Sequence, residues 1–313
     1  MATRFNTREN LTGYLLIAPF LIFFGVFLFY PIFYSFYLSL HKTTIYSDWY
    51  NKIGDMRFVG FGNYSTLLFH EFDFWWSILM TLAYAALTIP AGIVLSLLLA
   101  LALNKRVRCA PVFRSGFFLP QVLDLLVIGI IWTMIYAKDY GLLDTVFKKL
   151  FNSHIFSQGV LATPATILPC IALAMVLKGA GLGMILFLAT IQQIPRSLYE
   201  AAEVDGASGW RRLTHITLPL VKPIILFMVI TGIIGSLNAF TEIFAMTNDT
   251  GGPSALVAGH AVKPANIAGY YLYVSFREYF YGKAAAISFL LLIVALIVSG
   301  LNYVFLRSEK DLV

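Results

Sequence analysis

Six apolar runs, most of them long enough to cross a bilayer as one helix, dominate this chain of 313 residues. A helix needs about 20 apolar residues to cross the hydrocarbon core. Inside that core only helices and closed barrels satisfy their own backbone polar groups. The pattern therefore predicts an all-α, polytopic membrane protein with about six transmembrane helices in a single domain over 1–313. The spans are expected at about 12–40, 75–103, 115–136, 163–191, 223–246 and 283–306. Pro19 and Pro31 interrupt the first run, and Pro90 is expected to kink the second. The first run is too long and too aromatic for a cleaved secretory signal, so it reads as an uncleaved span. Composition agrees: 12% of residues are charged, about half the usual share of a soluble domain.

Six spans put both termini on one side, and basic residues select that side. The terminal-side loops hold 12 Lys and Arg, including Lys105, Arg106, Arg108, Arg114, Arg196, Arg211, Arg212 and Lys222. The longer opposite loops hold 9. The denser side is expected to be cytoplasmic. This bias also accounts for the net charge of +6, so nucleic acid is not expected as a partner. Cys109 and Cys170 form no CxxC pattern, and His41, His70, His154, His215 and His260 are scattered over loops. Neither set predicts a metal site. No Gly-rich loop ending in Gly-Lys-Ser/Thr occurs, so ATP, if used, must be hydrolysed by another chain. The halves show no repeat by eye, which weakens the reading as an inverted-repeat secondary transporter.

The polar stretch 192–222, between the fourth and fifth runs, stands out. Pro195 suits the first turn of a helix, and Ser197 to Val204 continue it. Gly206 is a natural stop after Asp205. Leu198, Ala201 and Ala202 share one small apolar face, flanked by Glu200 and Glu203, which are expected to pair with a partner. Ser208 is placed to cap a second short helix through Trp210, Arg211 and Arg212. Pro219 and Pro223 are expected to break that helix and restart the chain as the fifth span. The alternative is an amphipathic loop lying on lipid, which Trp210 and the two arginines would suit but the small Leu198/Ala201/Ala202 face would not.

Glu200-Ala201-Ala202, then Gly206, Ile216 and Leu218-Pro219, have the spacing of the EAA motif, and the stretch resembles that of bacterial binding-protein-dependent ABC import permeases of the carbohydrate type. Phe58 to Tyr64 resembles the family's Phe-x-Gly-x-x-Asn-Tyr segment. Lys178 to Gly181, Gln192 to Pro195, Met246-Thr247, Gly251-Gly252-Pro253 and Tyr281 to Ala286 resemble other family segments. The similarity covers about residues 10 to 308. It implies a type I importer permease fold in the bacterial inner membrane. It also implies a second, non-identical permease subunit, two ATPase subunits that bind the ATP and Mg, and an extracytoplasmic solute-binding protein. This chain is then not itself an enzyme and carries no cofactor. By the resemblance, Glu200, Ala201, Ala202, Asp205 and Gly206 dock on the ATPase, and Ile216, Leu218 and Pro219 fix the loop to the next span. A sugar or related polyol is the solute expected, with a glycerol phosphate or other anionic solute as the alternative.

Ionisable residues are costly inside a membrane and default to functional candidates. Asp124, Lys178 and Glu242 are such residues. Asn238 and Glu242, at i and i+4, are expected to share a helix face, and Trp132 is a stacking surface for a sugar ring. Asp124 and Lys178 either contact solute or pair with each other across two helices. Glu242 either lines the pathway or is solvated near the outer end. The segment 254–275 reads as longer and more irregular than the family's outer loop.

Overall fold

The computed structural model describes residues 7–43, 56–104, 108–138, 140–151 and 159–310. Arg4, Lys52, Lys105, Arg106, Asp139 and His154 lie outside them. By contact density the chain forms two compact units, residues 1–71 with 272–290 and residues 72–271 with 291–313.

The first unit opens with α1 (Thr7–Phe24), a π-turn over Gly25–Phe29 and α2 (Tyr30–Ser39). Strands β1 (His41–Lys42) and β2 (Arg57–Phe58) pair antiparallel, and α3 (Gly62–Phe69) follows. The side chains of Tyr14 to Ile32 lie mostly exposed, as an apolar helix facing lipid or another chain would have them. The Phe58–Tyr64 segment acts as a cap. Asn63 Nδ2 donates to the carbonyls of Ser39 and His41 at 2.8 and 2.9 Å, and the Tyr64 hydroxyl donates to Ser39 Oγ at 2.8 Å. Carbonyls left over at the end of α2 are thereby satisfied. In the same unit Gly282 lies against the His41 carbonyl, where a Cβ would clash, and Lys283 pairs with Glu71.

The second unit begins with α4 (Phe72–Asn104), which runs through Pro90, followed by α5 (Ala110–Val122), α6 (Leu125–Ile135), α7 (Leu142–Phe151) and α8 (Pro164–Gln193). Then come α9 (Arg196–Val204), α10 (Gly209–Arg212), a π-turn over Leu213–Thr217, α11 (Leu218–Leu237) and α12 (Thr241–Thr247). Strands β3 (Ala255–Val257) and β4 (His260–Val262) form a hairpin. Two helices cross between the units: α13 (Ala268–Arg277) and α14 (Tyr281–Lys310).

Helix α8 is the centre of this unit. Its apolar window is 56% buried, against 17% for α4 and for Gly209–Leu237. Met184, Phe187, Leu188 and Ile191 of α8 pack with Ala100 and Leu103 of α4 and Val221 of α11. Without a hydrophobic drive between helices in lipid, such packing depends on small residues and close approach. Gly181 lies against the carbonyl of Phe117 in α5, and Gly183 against Ser96 and Met228. Ser96 Oγ then donates to the Ala180 carbonyl at 3.2 Å.

Among the described residues five helical stretches are long and apolar enough to cross a membrane: Tyr14–Ser39, Phe72–Asn104, Pro164–Gln193, Gly209–Leu237 and Tyr281–Gly300. The expected third span, 115–136, is not one continuous helix: α5 and α6 meet at 102° around Leu123 and Asp124. The expected fifth span, 223–246, is also interrupted. Helix α11 ends at Leu237, and α12 begins at Thr241.

Pro219 and Pro223 do not restart the chain, because helix runs on from Gly209 to Leu237 through the π-turn. A proline ring in an α-helix clashes with the carbonyl four residues back. For Pro219 that carbonyl is His215, inside the widened π-turn. The same arrangement recurs in the first unit, where Pro31 follows the π-turn that contains Phe27. The segment 254–275 is also more regular than expected. Its hairpin turns at Ala258 and Gly259, both at positive φ (51° and 82°), as a two-residue type I′ turn requires.

Candidate functional site

Helix α9 carries Glu200, Ala201 and Ala202, and its C-terminus is closed by backbone alone. Ala207 N–H donates to the Ala202 carbonyl at 2.8 Å, and Gly206 N–H to the Glu203 carbonyl at 3.1 Å. With Gly206 at φ 71°, this pair of bonds is a Schellman cap. Asp205 is the C-cap residue. Ser208 Oγ then accepts Arg211 N–H at 3.3 Å and starts α10.

Two side-chain ties hold α9 against the chain returning toward α11. Tyr199 and Thr217 share a hydroxyl–hydroxyl bond of 3.0 Å, and Glu203 forms an ion pair with Arg212. Glu203 thus has an ion-pair partner within the chain, through Oε1, at a residue nine positions on, a spacing with no helical signature. Glu200, Ala201, Asp205 and Gly206 are exposed, Leu198 is 44% exposed, and Ala202 is half-buried. Ile216 and Leu218 are half-buried at the π-turn and the start of α11, and Pro219 is exposed. The geometry is a short, pre-capped helix with Glu200, Ala201 and Asp205 exposed, braced through Tyr199–Thr217 and Glu203–Arg212.

A second cluster lies inside the unit. Glu242 of α12 is buried, and the Tyr84 hydroxyl of α4 donates to its Oε1 at 3.1 Å. The position is not a solvated outer end. The Lys178 ammonium of α8 is close enough to act on the Glu242 carboxylate electrostatically, and it lies 3.5 Å from Gln121 Oε1 of α5. Four helices thus contribute one polar side chain each, which offsets the cost of burying a lone charge.

The other candidates are not part of this cluster. Asp124 does not pair with Lys178: it is exposed at the α5–α6 break, where its Oδ1 caps α6 by accepting Leu126 N–H at 2.8 Å. Asn238 and Glu242 do not share a helix face, because the chain breaks between them. Asn238 is the exposed C-cap of α11 and returns its Nδ2 to the Ile234 carbonyl at 2.9 Å. Trp132 is half-buried with its ring 5.2 Å from that of Tyr136. A cavity of 620 Å³ at the ends of α6 and α12 is lined by Thr133, Tyr136, Lys138, Thr247 and Pro253, among others, and by none of the five candidates. Tyr84 and Gln121 escaped sequence reasoning, since nothing local distinguishes them from other residues of apolar helices. No group of three or more His, Cys, Asp or Glu among the described residues is arranged to hold a metal ion.

Residues 78–310 match the model of the family described as binding-protein-dependent transport system inner membrane component. The chain is 32% identical over 305 residues to the lactose transport system permease protein LacF of Rhizobium radiobacter, covering 96% of each. It is 31% identical over 287 residues to the trehalose/maltose transport system permease protein MalF of Thermococcus litoralis, covering 92% of this chain and 91% of that one. It is 32% identical over 290 residues to the arabinooligosaccharides transport system permease protein AraP of Bacillus subtilis, covering 91% and 85%. In fold it is similar to a chain of a bacterial ABC transporter involved in the import of the acidic polysaccharide alginate, with a TM-score of 0.76 over 96% of each chain at 22% identity. A second structure of a bacterial alginate transporter, in complex with an alginate pentasaccharide-bound periplasmic protein, gives 0.75 at 22% identity over 94% of this chain and 93% of that one.

Proposed function

The chain belongs to the family of binding-protein-dependent transport system inner membrane components and is a multi-pass permease subunit of an ABC importer, and we propose that it passes a neutral sugar and is driven by a separate ATPase seated on α9. The sugar assignment rests on the relatives, whose names specify lactose, trehalose/maltose and arabinooligosaccharides. Inside the protein, Lys178 lies 3.5 Å from Gln121 Oε1 of α5.

The observation that carries the coupling proposal is the state of α9. It is capped by its own backbone and braced by Tyr199–Thr217 and Glu203–Arg212, while Glu200, Ala201 and Leu198 remain outward. A helix held this rigidly can transmit a push from a partner without deforming. In this reading Glu200, Ala201, Ala202, Asp205 and Gly206 enter a cleft on the ATPase, which binds the ATP and Mg. Ile216, Leu218 and Pro219 carry the displacement into α11. Alternating access follows as a two-state equilibrium biased by the ATPase. A second permease subunit completes the pathway, a binding protein delivers the sugar from outside, and both termini with α9 face the cytoplasm. On the solute side, Lys178 and Glu242 are proposed to border the pathway, with Asp124, Trp132 and Asn238 nearer its ends.

The test is co-purification with the ATPase subunits and measurement of sugar-stimulated ATP hydrolysis in proteoliposomes. Glu200→Lys and Gly206→Pro are expected to release the ATPase while the permease still inserts. Variants that still assemble and still couple hydrolysis to sugar uptake would remove α9 from the mechanism.

A further inference from the structure

Between α5 and α8, at the end of the unit next to α9, lies a cavity of 330 Å³ lined by Arg114, Ser115, Phe118, Ile185, Leu188, Ala189 and Gln192. Its lining is divided. Arg114, Ser115 and Gln192 make one polar end, and the remaining residues are apolar. Arg114 is half-buried and only partly engaged. Its Nη2 donates to the Leu103 carbonyl at 3.4 Å, while the Nε hydrogen is enclosed and meets no acceptor among the described residues. An enclosed guanidinium N–H without an acceptor is expensive. An oxyanion is the group that best satisfies it, through a charge-assisted bond.

The surroundings specify what carries that oxyanion. Val112, Phe113, Phe117 and Leu119 on the same helix are between 41% and 69% exposed, a surface suited to acyl chains and not to water. Arg108, six positions before Arg114, is exposed and adds a second basic side chain on this stretch. A basic pocket between membrane helices, with an apolar wall beside it, has the complementary form of an anionic phospholipid.

We propose that the Arg114 cavity is a binding site for an anionic phospholipid, with the phosphate at the guanidinium and an acyl chain along Phe118 and Ile185. The lipid would fasten α5 to α8 next to the turn that leads into α9. Bound there, it would stiffen the support from which α9 projects.

The site is tested by native mass spectrometry of the assembled transporter, stripped of lipid and titrated with phosphatidylglycerol, phosphatidylcholine or inorganic phosphate. One basic side chain at a membrane surface favours an anionic lipid about fivefold, so phosphatidylglycerol is expected to be retained about fivefold over phosphatidylcholine. Arg114→Gln is expected to abolish the preference. Because Arg114 also bonds the end of α4, a second variant, Ala189→Phe, fills the cavity from its apolar side and leaves the guanidinium in place; it should abolish the preference as well. Arg108→Gln, in the exposed loop, should leave most of it. Equal retention of both lipids, or a preference that survives Arg114→Gln and Ala189→Phe, overturns the proposal. Displacement of the lipid by millimolar phosphate would make the site one for a free anion. A preference seen in the isolated chain but lost in the assembled transporter would assign the cavity to a segment of a partner protein.

Discussion

The Tyr84 hydroxyl donates to Glu242 at 3.1 Å and joins α4 to α12 across 158 positions of sequence. Glu242 accepts this bond while buried. Tyr84→Phe removes the only side-chain hydrogen-bond donor to that carboxylate among the described residues, and should destabilise the fold by about 1 kcal/mol, the range of interhelical hydrogen bonds in membranes. Adding Glu242→Gln should recover part of the loss, since an amide is cheaper to bury unpaired than a carboxylate. A double-mutant cycle read by steric-trapping unfolding in bicelles checks this; strictly additive effects would mean the two side chains are not coupled.

Gly206 closes α9 at φ 71°, where an L side chain costs about 1–2 kcal/mol. No atom stands within 4 Å of a Cβ built there, so the cost comes from the backbone alone. Gly206→Ala is expected to fray the end of α9, and Gly206→Asn to do so less. Hydrogen exchange of the Asp205, Gly206 and Ala207 amides should rise in that order of severity, with the rest of the protein unchanged.

The Glu203–Arg212 pair lies at the surface, with side chains 62% and 30% exposed. Exposed pairs contribute about 0–1 kcal/mol. Arg212→Gln should therefore leave thermal stability nearly unchanged in 0.15 M salt. Its expected effect is on orientation: capture of the ATPase should weaken, though less than with Glu200→Lys. A large loss of stability on Arg212→Gln would show that the pair is part of the fold and not merely a brace.

Gly179 and Gly181 offer a matched comparison within α8. A Cβ at Gly179 would meet nothing within 4 Å, whereas one at Gly181 would fall on the Phe117 carbonyl of α5. Overpacking of this kind costs about 1–3 kcal/mol. Gly181→Ala should broaden the size-exclusion profile in detergent and lower the melting temperature, and Gly179→Ala should do neither.

What could be read from the sequence divides along a physical line. The apolar runs, the Gly206 cap and the Ser208 cap are local, set by hydropathy and by the residue types each backbone conformation tolerates. The breaks at Leu123–Asp124 and at Asn238–Phe240 lie inside apolar runs that continue on both sides, so a long apolar run by itself does not mark them. Asp124, immediately before Leu125, is of a residue type suited to an N-cap, the local signal that could mark the first break. The Tyr84–Glu242 bond and the Glu203–Arg212 pair depend on how helices come together and leave no trace in spacing. The same holds for Gly181, whose importance lies in the carbonyl of another helix.

The π-turn over Leu213–Thr217 has a consequence for how α9 is aimed. Leu218 N–H reaches back five residues to the Leu213 carbonyl, so this turn holds one residue more than an α-helical turn of the same rise. One residue corresponds to about 100° of azimuth. The membrane part of α11 and the polar segment before it are thus out of phase by roughly a quarter turn, and Pro219 keeps the surplus residue from being absorbed. Deleting one residue between Leu213 and Thr217 would leave Glu200 and Val221 chemically intact but point them along different bearings. The bearing of the polar segment relative to α11 is therefore set by the count of residues in a single turn.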